Sequence, residues 1–192
     1  RRRHTRSLCD WSSDVCSSDL SLPSDAAAIV QHQLEPSVAD PELAAALAAH
    51  ATSPIDIQVE IDTGMSRHGV PAASAAAFVR GLRIHPQLRV AGIYTHFAGL
   101  DAAARPSLML QLLVFRAALQ QLGDDRPKVH ACNTLATCLL PEAHLDAVRI
   151  GGGLYGFDPG VPVPGLRPVL SLTTVVVGCR RVSQGEDRRA HV

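Results

Sequence analysis

The features that this sequence lacks exclude several classes of function. The 192 residues carry no net charge at pH 7, and clusters of arginine occur only within Arg1–Arg6, at Arg180–Arg181 and at Arg188–Arg189. A protein that binds nucleic acid or an anionic membrane surface would need a basic face. The apolar runs are also well short of the ~20 residues that a membrane span requires. The sequence therefore predicts neither a nucleic-acid partner nor a membrane partner.

Export signals and paired cysteines are lacking as well. Three arginines open the chain, but no apolar segment follows them, which excludes a secretory or twin-arginine signal. The five cysteines are odd in number and do not have the spacing of zinc ligands. They are Cys9, Cys16, Cys132, Cys138 and Cys179. This usage predicts a reduced, cytoplasmic protein without a metal site.

The first twenty residues differ in character from the rest of the chain. Cys9–Leu20 reads CDWSSDVCSSDL, holds the only tryptophan and has no apolar period. The string resembles the conceptual translation of a common sequencing adapter; the alternative is an ordinary polar loop. We set residues 1–20 aside as a non-native segment and expect them to be exposed, with few contacts to the rest of the chain.

Short strands and helices alternate from Ser21 onward. The predicted strands are Ile55–Ile61, Val90–Phe97, Val129–Asn133 and Ala147–Ile150, and the predicted helices are Pro41–His50, Ala72–Leu82, Pro106–Leu122 and Thr134–Leu140. Repeated strand–helix units imply a parallel sheet with helical crossovers, an α/β fold. A (β/α)8 barrel needs about eight such units, and four or five are present. Residues 21–160 therefore predict the later part of a TIM-type barrel.

The pattern changes after a proline-rich connection, Pro159–Pro168. The following segment, Val169–Arg181, is rich in β-branched residues, which predicts a strand. We interpret residues 161–192 as the start of a truncated C-terminal β-domain, of which this is the first strand.

Polar residues recur where predicted strands end. They are Arg67, His96, Asn133 and Arg149. Each has an ordinary structural interpretation by itself, such as a surface ion pair or a buried core histidine. In a parallel barrel, however, the carboxyl ends of the strands converge on the active-site face, so the four together predict a site. Gly151–Gly153 follows the last strand and suits either a phosphate-binding loop or a flexible turn.

These residues lie in four segments that resemble alanine racemases, in order and at the right spacing. The segments are VEIDTGMSRHGV (Val59–Val70), GIYTHFAGLD (Gly92–Asp101), HACNTLATCLLPEAHLDAVRIGGGLYGFDP (His130–Pro159) and LRPVLSLTTVVVGCRRVSQGE (Leu166–Glu186). The similarity runs from about Leu34 to Glu186 and covers roughly half of the family length, which predicts an incomplete piece of the protein.

The resemblance implies an isomerase of fold type III. Such an enzyme interconverts L- and D-alanine on pyridoxal 5'-phosphate, supplies D-alanine for peptidoglycan and forms a homodimer. By the resemblance, Arg149 faces the pyridine nitrogen and His96 hydrogen-bonds this arginine. Arginine can only donate, so the nitrogen stays unprotonated and the cofactor is a weaker electron sink. That favours return of the proton to Cα over side reactions.

Further roles are implied in the same way. Arg67 lies near the substrate carboxylate, Thr134, Gly151 and Gly152 contact the phosphate, and Asn133 lines the pocket. The Schiff-base lysine of the first barrel strand and the catalytic tyrosine of the C-terminal domain are missing. The only lysine is Lys128, at the wrong end of its strand, so the chain is expected to be inactive. Its tail, Asp187–Val192, does not resemble the family, which suggests a frameshift or the end of a sequence contig.

Glu60 is a departure from the family, many members of which have a carbamylated lysine at this position. A glutamate also ends in a planar, negative, two-oxygen group, so one interpretation is that Glu60 holds Arg67 by a charge-assisted hydrogen bond. That interpretation predicts a carboxylate-to-guanidinium distance within ~4 Å. The other interpretation is a solvent-facing strand residue.

Other functions fit parts of the same pattern. A related serine racemase would share every motif named. A non-catalytic barrel that binds the same cofactor would lack the strand-rich continuation over Leu166–Glu186. An unrelated phosphate-binding barrel would have the glycine loop without a pairing of Arg149 with His96.

Overall fold

A computed structural model of the chain describes the backbone of residues 15–16 and residues 21–123, 127–157, 160–179 and 181. Five α-helices lie in these ranges: α1 (Ala26–Gln31), α2 (Pro41–His50), α3 (Ala75–Gly81), α4 (Arg105–Gln120) and α5 (Thr134–Leu139). The strands of the same ranges are β1 (Val15–Cys16), β2 (Glu35–Pro36), β3 (Ile55–Asp62), β4 (Val70–Pro71), β5 (Leu88–Tyr94) and β6 (Lys128–His130).

The ends of the helices follow from local sequence signals. Asp40 caps α2 by accepting a hydrogen bond from the Glu42 amide at 3.0 Å, and Pro41 occupies the first turn. Gly123 has a φ of +84° just beyond α4, a conformation that glycine adopts without steric cost. These helices therefore lie within a few residues of their predicted limits.

The strands form a parallel sheet in the order β4–β3–β5–β6. Parallel bridges extend it on both sides, from Ser37 to Gln58 and from His130 to Ala147. The predicted strand Ala147–Ile150 is thus reduced to a single bridge. Consecutive parallel strands with helical crossovers are the wall of an α/β barrel, and the described strands form part of that wall. The predicted fold class is confirmed in this respect.

The core lies between the sheet and its helices. Ile57, Val59, Ile61, Ile93 and Val129 are fully buried sheet residues, and α4 covers them with its own apolar face, Leu108, Leu112 and Phe115. Ala102–Gln120 is long and apolar enough to cross a membrane by length and composition alone. Its buried face identifies it instead as a core helix of this domain.

The segment after the barrel differs from the prediction. Within residues 160–179 and 181 the structure has no strand, and the side chains of Val169 and Val175–Val177 are exposed. A strand needs a ladder of backbone bonds to a neighbouring strand. The Val169 amide donates to the Tyr155 carbonyl at 3.1 Å, but the described residues form no such ladder with this segment. The structure therefore has no strand over residues 169–179 and 181, whereas the C-terminal β-domain and a domain limit near residue 160 stay predictions.

The expectation for residues 1–20 falls mostly outside the described residues. The exception is β1, whose backbone pairs in parallel with Glu35 and Pro36 of β2. The expectation of few contacts between residues 1–20 and the rest of the chain otherwise stays a prediction. The adapter interpretation stays a prediction.

Candidate functional site at the carboxyl ends of the strands

The four polar residues predicted to form a site lie at one end of the sheet. Arg67 lies in the loop after β3, and His96 lies two residues beyond β5. The Asn133 amide donates to the Phe97 carbonyl at 3.2 Å, which joins the ends of β6 and β5. The Arg149 backbone amide donates to the Cys132 carbonyl at 2.9 Å. The parallel topology thus brings the ends of successive strands together, as the alternation of elements predicted.

Arg149 is the most constrained of these residues. Its Nη1 lies 2.5 Å from His130 Nδ1, and its Nη2 donates to the Thr95 carbonyl at 2.9 Å. The guanidinium carbon is 4.9 Å from the centroid of the Tyr94 ring, within the range of a cation–π contact. Tyr94 in turn stacks on His130 at 5.1 Å with an interplanar angle of 4°. Two hydrogen bonds and an aromatic face therefore fix the position of the cation.

The histidine bonded to Arg149 is not the predicted one. The sequence analysis assigned this role to His96, but in the described part of the chain the ring that Arg149 reaches directly is that of His130. The reason is the sheet register, which places His130 beside Tyr94 and so on the face where the guanidinium lies. His96 follows β5 by two residues, in the loop beyond the register.

The charges of Arg149 and Arg67 nevertheless affect the pKa of His96. Burial lowers its pKa, and the positive charges of Arg149 and Arg67 lower it further. Both arginines therefore act on one imidazole, and the Glu60 charge opposes them by raising the pKa of His96. Burial, followed by the Arg149 charge, also lowers the pKa of His130 to about 4, so His130 is neutral at physiological pH.

Glu60 does not have the predicted partner. Its Oε2 lies 2.9 Å from His68 Nδ1 and accepts a hydrogen bond from the Tyr94 hydroxyl at 3.1 Å. Among the salt bridges of the described residues there is none between Glu60 and Arg67, so the predicted distance within 4 Å is wrong. The alternative of a solvent-facing residue is wrong too, because Glu60 is only 4% exposed. The carboxylate is turned inward, toward Tyr94, whereas Arg67 is exposed in the loop.

The predicted phosphate contacts lie together. Thr134 Oγ1 accepts hydrogen bonds from the backbone amides of Gly151 at 3.1 Å and Gly153 at 3.4 Å. A Cβ at Gly153 would approach Thr134 Cγ2 to 2.7 Å, so this close approach of loop and hydroxyl requires glycine. Gly151 and Gly152 are exposed beside it. Asn133, the preceding residue, caps α5 by accepting from the Ala136 amide.

Several polar residues of this cluster were missed by the sequence analysis. Tyr94, His130 and Gln58 are buried polar residues in strands, and His68 follows Arg67 directly. The available signal was alternation: Gln58 and Glu60 share one face of β3, and polar side chains on an inward face need buried partners. The sequence does not say which strand supplies each partner.

The hydrogen-bond donors of this site fit an anionic aromatic cofactor such as pyridoxal phosphate. They fit the two groups that are held without a covalent bond, the ring nitrogen and the phosphate. A fixed cation, Arg149, suits a ring nitrogen that accepts a hydrogen bond, and the Thr134 hydroxyl with the glycine loop suits a phosphate. After burial, the charges of Arg149 and Arg67 lower the pKa of His96, and these charges favour an anionic group nearby. Lys128, the one lysine of the sequence, lies exposed at the opposite, amino-terminal end of β6.

Comparisons with known proteins agree with this geometry. A family model described as alanine racemase, N-terminal domain matches residues 12–159, beginning inside the segment set aside above. The alanine racemase of Thermobifida fusca is 38% identical over 138 residues, which cover 67% of this chain and 37% of that protein. The solved alanine racemase of Corynebacterium glutamicum is 29% identical with a TM-score of 0.69, over 78% of this chain and 44% of that one.

A second solved structure gives the same result. The alanine racemase of Streptomyces lavendulae is 33% identical with a TM-score of 0.67, over 78% of this chain and 43% of that chain. This chain thus spans less than half the length of the relatives that it matches. Since the family model covers most of its residues, the chain belongs to the alanine racemase N-terminal domain family.

Proposed function

We propose that this chain is the cofactor-holding barrel portion of an alanine racemase, which interconverts L- and D-alanine on pyridoxal 5'-phosphate. The observation that carries the proposal is the Arg149 guanidinium, fixed by His130, the Thr95 carbonyl and the Tyr94 ring at the strand ends where the Thr134–glycine cradle also lies. The named relatives, all alanine racemases, support it.

The cofactor would be held without covalent help from this chain. When bound, pyridoxal phosphate supplies an electron sink that acidifies the Cα–H of an amino acid. Arg149 can only donate a hydrogen bond, so it would hold the ring nitrogen in its unprotonated form. Thr134, Gly151 and Gly152 would hold the phosphate. In this arrangement, the chain binds and orients the cofactor, and Arg149 limits how strongly it withdraws electrons.

The substrate would be recognised by charge. Arg67 is exposed in the loop after β3 and acts electrostatically on His96, as Arg149 does. We assign Arg67 to the carboxylate of alanine, a partner that the planar guanidinium can bind through two hydrogen bonds. His96 and Asn133 would line the same pocket, His96 as a neutral ring because burial, and then the charges of both arginines, lower its pKa.

Proton transfer at Cα requires groups that this chain does not supply. Lys128 is its only lysine and lies at the far end of β6. Burial raises the pKa of Tyr94, and its hydroxyl already bonds to Glu60 and Ser37, so it is a poor base. The lysine and the tyrosine of the active enzyme would come from other segments, the tyrosine from the partner subunit of a homodimer. The free cysteines Cys132, Cys138 and Cys179 support a reducing compartment, the cytoplasm.

Cofactor binding by the chain is the first test. Titration of the purified chain with pyridoxal phosphate, followed by absorbance or equilibrium dialysis, should give saturable binding. Arg149→Leu and Thr134→Val should each weaken it, whereas Arg83→Leu, a change at an exposed arginine, should not. Equal affinity in all four proteins would mean non-specific attachment and would refute the proposed site.

Racemisation is the second test. This chain would be joined to the flanking segments of the Thermobifida fusca enzyme and assayed with L-alanine and L-serine, with Arg149→Leu as the inactive control. Turnover of alanine above serine supports the proposal. Preference for serine would identify the related serine racemase, and cofactor binding without turnover of either would favour a non-catalytic cofactor-binding barrel.

A further inference from the structure

Two buried polar side chains, His130 and Gln58, connect Arg149 to Glu35 in β2. His130 Nε2 lies 3.2 Å from Gln58 Oε1, and Gln58 Nε2 donates to Glu35 Oε1 at 2.5 Å. Gln58 and His130 are each 8% exposed. With the contact between His130 Nδ1 and Arg149, the row runs Arg149–His130–Gln58–Glu35 and begins and ends on opposite charges.

The donor at each contact follows from elementary chemistry. A guanidinium only donates, so His130 Nδ1 must accept, and the proton of the neutral ring must be on Nε2. Nε2 then donates to Gln58 Oε1, which turns the Gln58 amide nitrogen toward Glu35. A carboxylate only accepts, so it completes the row. Every hydrogen bond is donated in the same direction, from the cation to the anion, and such rows reinforce one another.

Gly92 makes this row possible. β5 lies between β3 and β6 in the sheet, so Gln58 must cross β5 to reach His130. It crosses at Gly92, its register partner. A Cβ there would lie 2.0 Å from Gln58 Oε1 and 2.7 Å from its Cδ, well inside van der Waals contact. Only glycine at this position lets the Gln58 amide lie across the strand.

We propose that Gln58, laid across Gly92 and anchored by Glu35, is a positioning residue that fixes His130 as its Nε2–H tautomer and thereby orients Arg149. The opposite tautomer would put an N–H of His130 against an N–H of Arg149, so the guanidinium would lose this contact. Burial, followed by the Arg149 charge, lowers the pKa of His130 to about 4, which agrees with a neutral ring. The link to the cofactor rests on the proposed function; the link from Gln58 to the tautomer does not.

The tautomer is measured without cofactor, from the ring ¹⁵N chemical shifts of His130 in the full chain at neutral pH. We expect Nε2–H in the wild type and a mixture of tautomers in Gln58→Leu, with the thermal midpoint checking that the variant folds. Gln120→Leu, at an exposed position of α4, is the matched control and should leave His130 unchanged. A single Nε2–H tautomer in Gln58→Leu would overturn the proposal.

A double-mutant cycle tests the role of Gly92. Gly92→Ala should displace Gln58 and give the same mixture of tautomers, but it should have no further effect in a Gln58→Ala background, where the crossing side chain is gone. Gly81→Ala has open space around its Cβ and serves as the glycine control. An equal effect of Gly92→Ala in both backgrounds would contradict the crossing.

Cofactor affinity separates this inference from the proposed function. Loss of one hydrogen bond behind Arg149 should weaken pyridoxal phosphate binding about fivefold in Gln58→Leu. A wild type that shows the fixed tautomer but binds no cofactor would refute the proposed function and leave the role of Gln58 supported. If the wild type and Gln58→Leu bind cofactor equally well, the positioning role alone is refuted.

Discussion

Two regions of this chain have the same kinds of residue and opposite environments. In the sheet, Ile93 and Val129 are fully buried, whereas Val169 is 72% exposed and Val177 is 98% exposed in the segment after the barrel. Both regions are rich in β-branched residues, and both were predicted to be strands. Those in the sheet have parallel partners on neighbouring strands. The difference teaches that β-propensity describes fit to a sheet surface, and that a strand forms only where a partner and a covering helix exist.

The largest expected effect concerns activity. It tests whether the barrel region is sufficient for function. The chain alone should give no detectable interconversion of alanine enantiomers, because its one lysine is on the wrong end of β6 and proton abstraction needs a positioned base. Chiral chromatography after incubation with cofactor is the measurement. Turnover in a preparation from a host without its own racemase would contradict this.

The next largest effect is a difference in thiol reactivity between the two regions. Cys132 is buried two residues after β6, and burial raises the pKa of its thiol from 9.0 to about 11, which lowers its thiolate fraction about 100-fold near neutral pH. Cys179 lies in the segment after the barrel and is exposed. Peptide mapping after timed alkylation should find Cys179 modified before Cys132, with exposed Cys138 as the internal control. Equally fast labelling of Cys132 would mean that the sheet opens readily.

Truncation of one apolar side chain in each region compares their contributions to the free energy of unfolding. Ile93→Ala should lower the free energy of unfolding by ~2–5 kcal/mol, because it leaves a cavity in a packed core. Val177→Ala should change it by less than about 0.5 kcal/mol, because the side chain is already in water. Urea unfolding followed by circular dichroism measures both. A large loss in Val177→Ala would indicate that the segment packs in solution.

The smallest effect is a pH dependence within the sheet. An unfolded histidine has a pKa near 6.5, and burial with the Arg149 charge lowers the pKa of His130 to about 4. The folded state binds this proton more weakly, so the stabilising contribution is complete above pH 6.5 and is lost as the pH falls toward 4. At most it is roughly 3 kcal/mol.

The difference in pH dependence between the wild type and His130→Gln isolates the contribution of His130. The free energy of unfolding should fall more steeply between pH 6.5 and 4 in the wild type than in His130→Gln. His50→Gln, at the exposed end of α2, should follow the wild-type curve. Parallel curves for wild type and His130→Gln would show that protonation of this ring does not oppose folding.

Much of the fold was predictable because its signals are local. Asp40-Pro41 begins α2, Gly123 follows α4, and alternation over Ile55–Ile61 gives β3. The position of the site was predictable too, since parallel strands place their carboxyl ends together. The partners within the site were not. Glu60 and His130 both lie beside Tyr94 because of the sheet register, and no local pattern specifies which residues of three strands form a row.

The sequence by itself determined the order of the main strands and helices, the parallel topology, and four of the polar residues at the strand ends. It did so because these properties depend on periodicity and on capping and turn residues that are neighbours in the chain. Only the tertiary structure decided that Arg149 bonds to His130 rather than to His96, that Glu60 turns toward His68 rather than Arg67, and that the segment carrying Val177 is not a strand. Each of these depends on contacts between residues far apart in sequence, and such contacts are fixed by register and packing.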